Sequence, residues 1–155
     1  MEVKIITNSM DETMDLAKSL ADHLFPSLVI TLTGDLGAGK TTFVKGLASA
    51  MGVKEKVTSP TFNILKCYFL SPLDLYHIDA YRLDSGNKDI GLEEFIEGEG
   101  VTVIEWPNFI SEMIPSLHLE VNITSLGDNK REIVFKSEIA SLSPFFNLLK
   151  ERNND

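Results

Sequence analysis

Apolar residues along the 155-residue chain follow two spacings: short unbroken or alternating runs, and longer stretches recurring at three and four. The first spacing fits strands and the second fits one-sided helices, so the chain reads as alternating β and α segments. Residues 3–7 form a short β-prone run. Ser9 and Glu12 stand at capping-box spacing before Met14, Ala17, Leu20, Ala21 and Leu24, which predicts an amphipathic helix over about residues 10–24. Pro26 closes it. Residues 28–33 are then continuously apolar and β-branched, as a strand covered on both faces requires. Gly34 ends that strand. Phe43, Val44, Leu47, Ala48 and Met51 recur at helical spacing over residues 40–51, and Gly52 supplies the stop.

Further along, residues 63–70 and 73–78 are β-rich runs separated by Ser71 and Pro72, which predicts a hairpin with Asp79 at the end of its second strand. Residues 91–98 read as a short acidic helix, 101–104 as a buried strand and 108–114 as a helix stopped by Pro115. Residues 117–124 and 132–136 make a last hairpin around Gly127, Asp128 and Asn129, and a C-terminal helix runs near residues 145–150. Neither an internal repeat nor a linker interrupts this alternation, so residues 1–155 are expected to form a single α/β domain.

Composition narrows the function classes. With 43% hydrophobic and 24% charged residues the chain is an ordinary globular one, which excludes global disorder. Lys and Arg total 14 against 23 for Asp and Glu, and the net charge of −9 repels a polyanion, so strong direct binding of nucleic acid is not expected. The lone Cys67 closes no intramolecular disulfide and reads as a small buried hydrophobe, which fits the cytoplasm. No basic start followed by an apolar stretch and no apolar run beyond strand length is present, so neither a secretion signal nor a membrane span is expected.

The chemistry begins at Gly34-Asp35-Leu36-Gly37-Ala38-Gly39-Lys40-Thr41, a complete match to the phosphate-loop pattern of glycine, four residues, glycine, lysine and serine or threonine. Glycines let successive N–H groups converge on phosphate oxygens, and the following helix adds its positive end. Lys40 then reaches the β- and γ-phosphates, and Thr41 offers a hydroxyl to a bridging Mg²⁺. Hydrolysis also uses an acidic group at the end of a buried strand. Val101-Thr102-Val103-Ile104-Glu105 has that form, with glutamate where aspartate is usual, so Glu105 is the candidate and an ordinary surface carboxylate the alternative. Asp79, at another strand end, either positions the attacking water or caps a turn. Trp106 either covers the site or packs, the commoner use of a lone tryptophan. Thr58-Ser59-Pro60-Thr61-Phe62 is a hydroxyl-rich loop of the kind that orders around a γ-phosphate. Asn87-Lys88-Asp89-Ile90 lacks the second carboxylate of a guanine-reading motif, which favours ATP over GTP. His23, His77 and His118 lack metal-ligand spacing and read as surface or strand residues.

These blocks, with His77-Ile78-Asp79-Ala80-Tyr81-Arg82-Leu83 and Ile104-Glu105-Trp106-Pro107, stand in an order that resembles the TsaE (formerly YjeE) family of tRNA threonylcarbamoyladenosine biosynthesis ATPases. The resemblance spans most of the chain. It implies a P-loop NTPase-like fold with a mixed, largely parallel central sheet flanked by helices and a C-terminal β-hairpin. It also implies binding of ATP and Mg²⁺, ATP hydrolysis, and assembly with TsaB and TsaD, with tRNA met only through the complex. Carried over by position, Gly37, Ala38, Gly39, Lys40, Thr41 and Thr42 hold the nucleotide, Thr41 and Glu105 surround Mg²⁺, and Lys40, Asp79 and Glu105 serve hydrolysis. Ser9 or its neighbours, and Arg131, fall near adenine. Two other classes remain open from the residues alone: a small-molecule kinase with the same loop, and a nucleotide-sensing adaptor without turnover. The kinase would need an arginine-rich lid, and Arg82, Arg131 and Arg152 are the only arginines.

Overall fold

The computed structural model describes residues 1–35, 37–58, 64–83 and 91–153, without the side chain of Arg82. The loop residues Ser59 to Phe62, the Asn87 to Ile90 segment and Leu36 of the phosphate loop lie outside the described residues. One seven-stranded sheet runs through the molecule. Its strands are β1 (Glu2–Thr7), β2 (Val29–Thr33), β3 (Leu65–Tyr68), β4 (Leu75–Asp79), β5 (Val101–Glu105), β6 (Leu119–Ser125) and β7 (Arg131–Ser137), in spatial order β1-β7-β6-β2-β5-β4-β3. The core of four strands, β6-β2-β5-β4, is parallel; β1 and β7 on one side and β3 on the other add antiparallel pairings.

The central strands β2 and β5 are buried almost throughout, which matches their unbroken apolar sequences, because helical layers cover both faces. The outer strand β1 instead alternates exposed and buried, with Val3, Ile5 and Thr7 turned inward. One face of the sheet carries α1 (Met10–Leu20), α2 (Lys40–Met51) and α4 (Ser143–Asn153), packed through Leu16, Leu20, Phe43, Leu47, Phe145 and Phe146. The other face carries α3 (Leu92–Ile96) and a 3-10 segment, Pro107–Met113, packed through Leu92, Ile96 and Ile110 onto Val29, Ile78 and Ile104.

Three elements depart from their sequence pattern. The helix expected to reach residue 24 is α-helical only to Leu20 and continues as a 3-10 turn, Ala21–His23, before Leu24 turns extended ahead of Pro26. Proline disfavours α geometry in the residue before it, so the last turn tightens and the chain leaves early. The helix expected over residues 108–114 is a 3-10 segment broken at Ile110 (φ −133°, ψ 34°). The C-terminal helix is longer than its apolar residues indicated, because Ser143 and Pro144 begin it and exposed polar residues continue it to Asn153.

Cys67 is half-buried on the edge strand β3 rather than fully buried. Partial burial and the neighbouring Asp74 carboxylate push its thiol pKa up, so it stays protonated at neutral pH. Among the described residues no helix is long and apolar enough to cross a membrane.

Candidate functional site

The carboxyl ends of β2, β4 and β5 open into a cleft of about 590 Å³, the position where open α/β sheets place ligands. Gly34 leaves β2 so close to the last hairpin that a Cβ there would lie 2.6 Å from the Ile123 carbonyl oxygen. Gly39 precedes α2 with φ 110°, a left-handed conformation that most side chains resist. No described side chain caps α2, and the first amides of a helix lack intrahelical acceptors. Gly37, Gly39, Lys40, Thr41 and Thr42 all line the cleft, whereas Ala38 is buried beneath the loop. The Lys40 ammonium donates to Gly34 O at 2.7 Å and lies 4.2 Å from the centroid of the Trp106 ring.

Opposite the loop stand the two strand-end carboxylates. Asp79 and Glu105 are register partners on the adjacent parallel strands β4 and β5, so their side chains leave the same face of the sheet at the same level. Both line the cleft, and they are only 7% and 3% exposed. Asp79 Oδ1 accepts the backbone N–H of Tyr81 at 3.1 Å, so the turn-capping role and the cleft position coexist. Glu105 Oε2 lies 2.6 Å from Nε2 of His77, two residues before Asp79 on β4. His77 is 0% exposed. His77 is the strand residue its sequence context suggests, but it lies buried directly behind a cleft carboxylate.

Trp106 packs and lines the cleft at once. It adopts φ 56°, in the left-handed region, at the junction of β5 and the 3-10 segment, and it lines the cleft. Such a conformation in a bulky residue costs energy and gathers at functional sites. Its ring joins those of Tyr81, 5.1 Å away, and Phe109, 6.3 Å away, in an aromatic wall on the β4/β5 side. Tyr81 also lines the cleft and is half exposed.

The expected base-side residues divide. Arg131 reaches the cleft from the start of β7, but its guanidinium is spent mostly on backbone: Nε donates to Ala38 O at 2.7 Å and Nη2 to Gly37 O at 3.3 Å. Nη1 donates to Asp128 O at 2.8 Å and Lys130 O at 2.9 Å. Arg131 therefore straps the phosphate loop to the last hairpin. Ser9 caps α1, its Oγ accepting the Glu12 N–H at 3.1 Å, while the Glu12 carboxylate takes the Asn8 N–H. It is Met10 and Thr13, further along α1, that line the cleft, with Asn129 across from them. Met10 is the neighbour of Ser9 that reaches the cleft, whereas the cleft positions of Thr13 and Asn129 and the contact of His77 with Glu105 were missed by sequence reasoning.

A glycine loop leading from a buried strand into a helix, opposite strand-end carboxylates, is how phosphate-loop nucleotide-binding proteins hold a polyphosphate, and the fold and cleft place the chain in that class. The family profile described as "Threonylcarbamoyl adenosine biosynthesis protein TsaE" matches residues 7–133. The chain belongs to the TsaE family. A Bacillus subtilis relative, tRNA threonylcarbamoyladenosine biosynthesis protein TsaE, is 45% identical over 134 residues, covering 86% of this chain and 85% of the relative. The protein of the same name from Aquifex aeolicus is 41% identical over 132 residues, covering 84% of this chain and 92% of the relative. Among solved structures, Bacillus subtilis YdiB superposes with a TM-score of 0.78 at 37% identity, covering 100% of this chain and 97% of that one.

Proposed function

We propose that this protein is a Mg²⁺-dependent ATPase of threonylcarbamoyladenosine biosynthesis, binding ATP in the cleft and hydrolysing it in assembly with TsaB and TsaD. Residues 1–155 act as one ATPase domain, working in the cytoplasm. The observation that carries the reading is the convergence, in one cleft, of Lys40 and Thr41 with the buried carboxylates Asp79 and Glu105.

The donor set suits Mg²⁺. Thr41 offers a hydroxyl and Glu105 a carboxylate, and the described residues contain no group of three or more His, Cys, Asp or Glu that would make a closed cage. Mg²⁺ is usually held by one or two carboxylates together with substrate phosphates, so Thr41 and Glu105 would hold it here. When bound, the ion supplies charge neutralisation at the β- and γ-phosphates.

Within this reading the loop amides and the start of α2 bind the polyphosphate. Lys40 exchanges the Gly34 carbonyl for phosphate oxygens by rotating its flexible stem. Asp79 orients the attacking water and takes its proton. The water oxygen bonds to the γ-phosphorus, the bond to the β–γ bridging oxygen breaks, and ADP and inorganic phosphate leave. Met10, Thr13 and Asn129 frame the base end, with Arg131 holding the loop beside it and Ser9 fixing the start of α1. A net charge of −9 opposes direct tRNA binding, so tRNA is met through the partner proteins.

The test is the fate of the γ-phosphate. ATP and Mg²⁺ are supplied with TsaB and TsaD, and both inorganic phosphate and phosphorylated small molecules are measured for the parent protein and for Lys40→Ala. Inorganic phosphate that depends on Lys40 is expected. Equal turnover by Lys40→Ala overturns the site, and phosphate recovered on an acceptor makes the protein a kinase.

A further inference from the structure

We propose that His77 is a positioning residue that fixes the rotamer of Glu105 through a directed Nε2–H bond, so that the carboxylate is preset for the metal. The inference rests on the Mg²⁺ role of Glu105 proposed above. Three observations carry it. His77 is completely buried, its Nε2 lies 2.6 Å from Glu105 Oε2, and its Nδ1 has no hydrogen-bond partner among the described residues. A buried N–H without an acceptor is costly, whereas a bare ring nitrogen is a weaker loss, so the ring carries its proton on Nε2. That proton has one acceptor, Glu105.

The arrangement is specific. His77 and Glu105 sit on adjacent parallel strands, and His77 lies two residues before Asp79, so β4 sends one residue under the cleft floor and the other into the cleft. The Glu105 carboxylate has no other hydrogen-bond partner among the described residues, so without His77 a side chain in a residue 3% exposed would be held by packing alone. A metal-binding carboxylate held from behind by a hydrogen bond loses less freedom on binding, and removing such supports typically weakens metal affinity by about 10- to 100-fold.

The experiment compares two amides of similar burial cost. The glutamine amide nitrogen overlays Nε2 of histidine and the asparagine amide nitrogen overlays Nδ1, so His77→Gln keeps the donor toward Glu105 and His77→Asn does not. Mg²⁺ is titrated at fixed non-hydrolysable ATP analogue, read by the fluorescence of Trp106, the only tryptophan and a residue of the cleft wall. Thermal midpoints are recorded alongside. The half-saturating Mg²⁺ concentration is expected to rise at least ~10-fold in His77→Asn and to stay within ~3-fold of the parent in His77→Gln. Equal shifts in both variants, or none in either, overturn the proposal. Long-range ¹H–¹⁵N NMR of the parent protein reads the ring protons without any substitution: a proton on Nε2 supports the proposal, and a proton on Nδ1 with none on Nε2 overturns it even if neither variant folds. Glu105→Ala is the control for the underlying reading. An unchanged Mg²⁺ dependence there removes the metal role of Glu105, whereas a shift there beside an unshifted His77→Asn removes only the role of His77.

Discussion

Lys40 is 7% exposed, yet among the described residues its ammonium makes no ion pair with a carboxylate; it sits between the Gly34 carbonyl and the Trp106 ring, so its charge is held for the cleft rather than for the core. Lys40→Ala is therefore expected to weaken ATP by about 10- to 100-fold, the worth of a charge-assisted bond, while the thermal midpoint moves by only about 3 °C. Calorimetric titration beside a thermal scan checks both. Glu105→Ala is expected to lower ATP affinity measured with Mg²⁺ and to leave affinity measured in EDTA nearly unchanged; equal losses in both make Glu105 structural. Arg131→Lys keeps the charge but loses the planar fork that spans the Gly37 and Ala38 carbonyls. It is expected to weaken ATP roughly 10-fold, with faster amide exchange in the phosphate loop; unchanged exchange removes the strap. The loop residues were legible because the chemistry is written in consecutive letters. Arg131 was reached only through the family resemblance, and the place of His77 behind Glu105 was not legible, because Arg131 Nε meets the Ala38 carbonyl 93 residues away and His77 meets Glu105 28 residues away, contacts that no local pattern spells out.

Helix α1 reaches the cleft through Met10 and Thr13, and its position is set by its contact with α2. Gly46 makes that contact close: a Cβ there would lie 2.5 Å from Met14 O and 2.9 Å from Met14 Cα. Alanine is the better helix former by about 1 kcal/mol, but the obstacle is backbone, which cannot rotate away. Gly46→Ala is expected to destabilise the protein by about 1–3 kcal/mol in urea unfolding, the usual range for overpacking, and to weaken nucleotide by shifting α1. A gain in stability would show that the two helices separate freely. The capping box at Ser9 and the glycine stop at Gly52 made the helix ends readable. The 3-10 segment Pro107–Met113 was misread because periodicity reports which residues face the core, here Ile110, and not which carbonyl each N–H finds. The left-handed turn at Trp106 that redirects the chain has no counterpart in that pattern.

At the scale of the molecule, the parallel strands β2, β4 and β5 bring residues 37–42, 79–81 and 105–106 to one edge, and the β6–β7 hairpin folds back to close it. The sequence showed the alternation of strands and helices but not the edge pairing of β1 with β7, which depends on a contact across nearly the whole chain. Among the described residues, cations lining the cleft are few: Lys40, proposed above to hold the phosphates, and Arg131, which is bound to loop carbonyls. Phosphoryl transfer gains most of its rate from positioning and from charge around the γ-phosphate, so hydrolysis by the protein alone is expected to be slow, with TsaB and TsaD completing the site. The most direct measurement is steady-state phosphate release at saturating ATP and Mg²⁺ by the protein alone, with TsaB, with TsaD, and with both together. The account predicts a rate at least ~10-fold higher with both partners present, abolished by Lys40→Ala. A rate unchanged by the assembled pair, with binding among the three proteins independently confirmed, contradicts it.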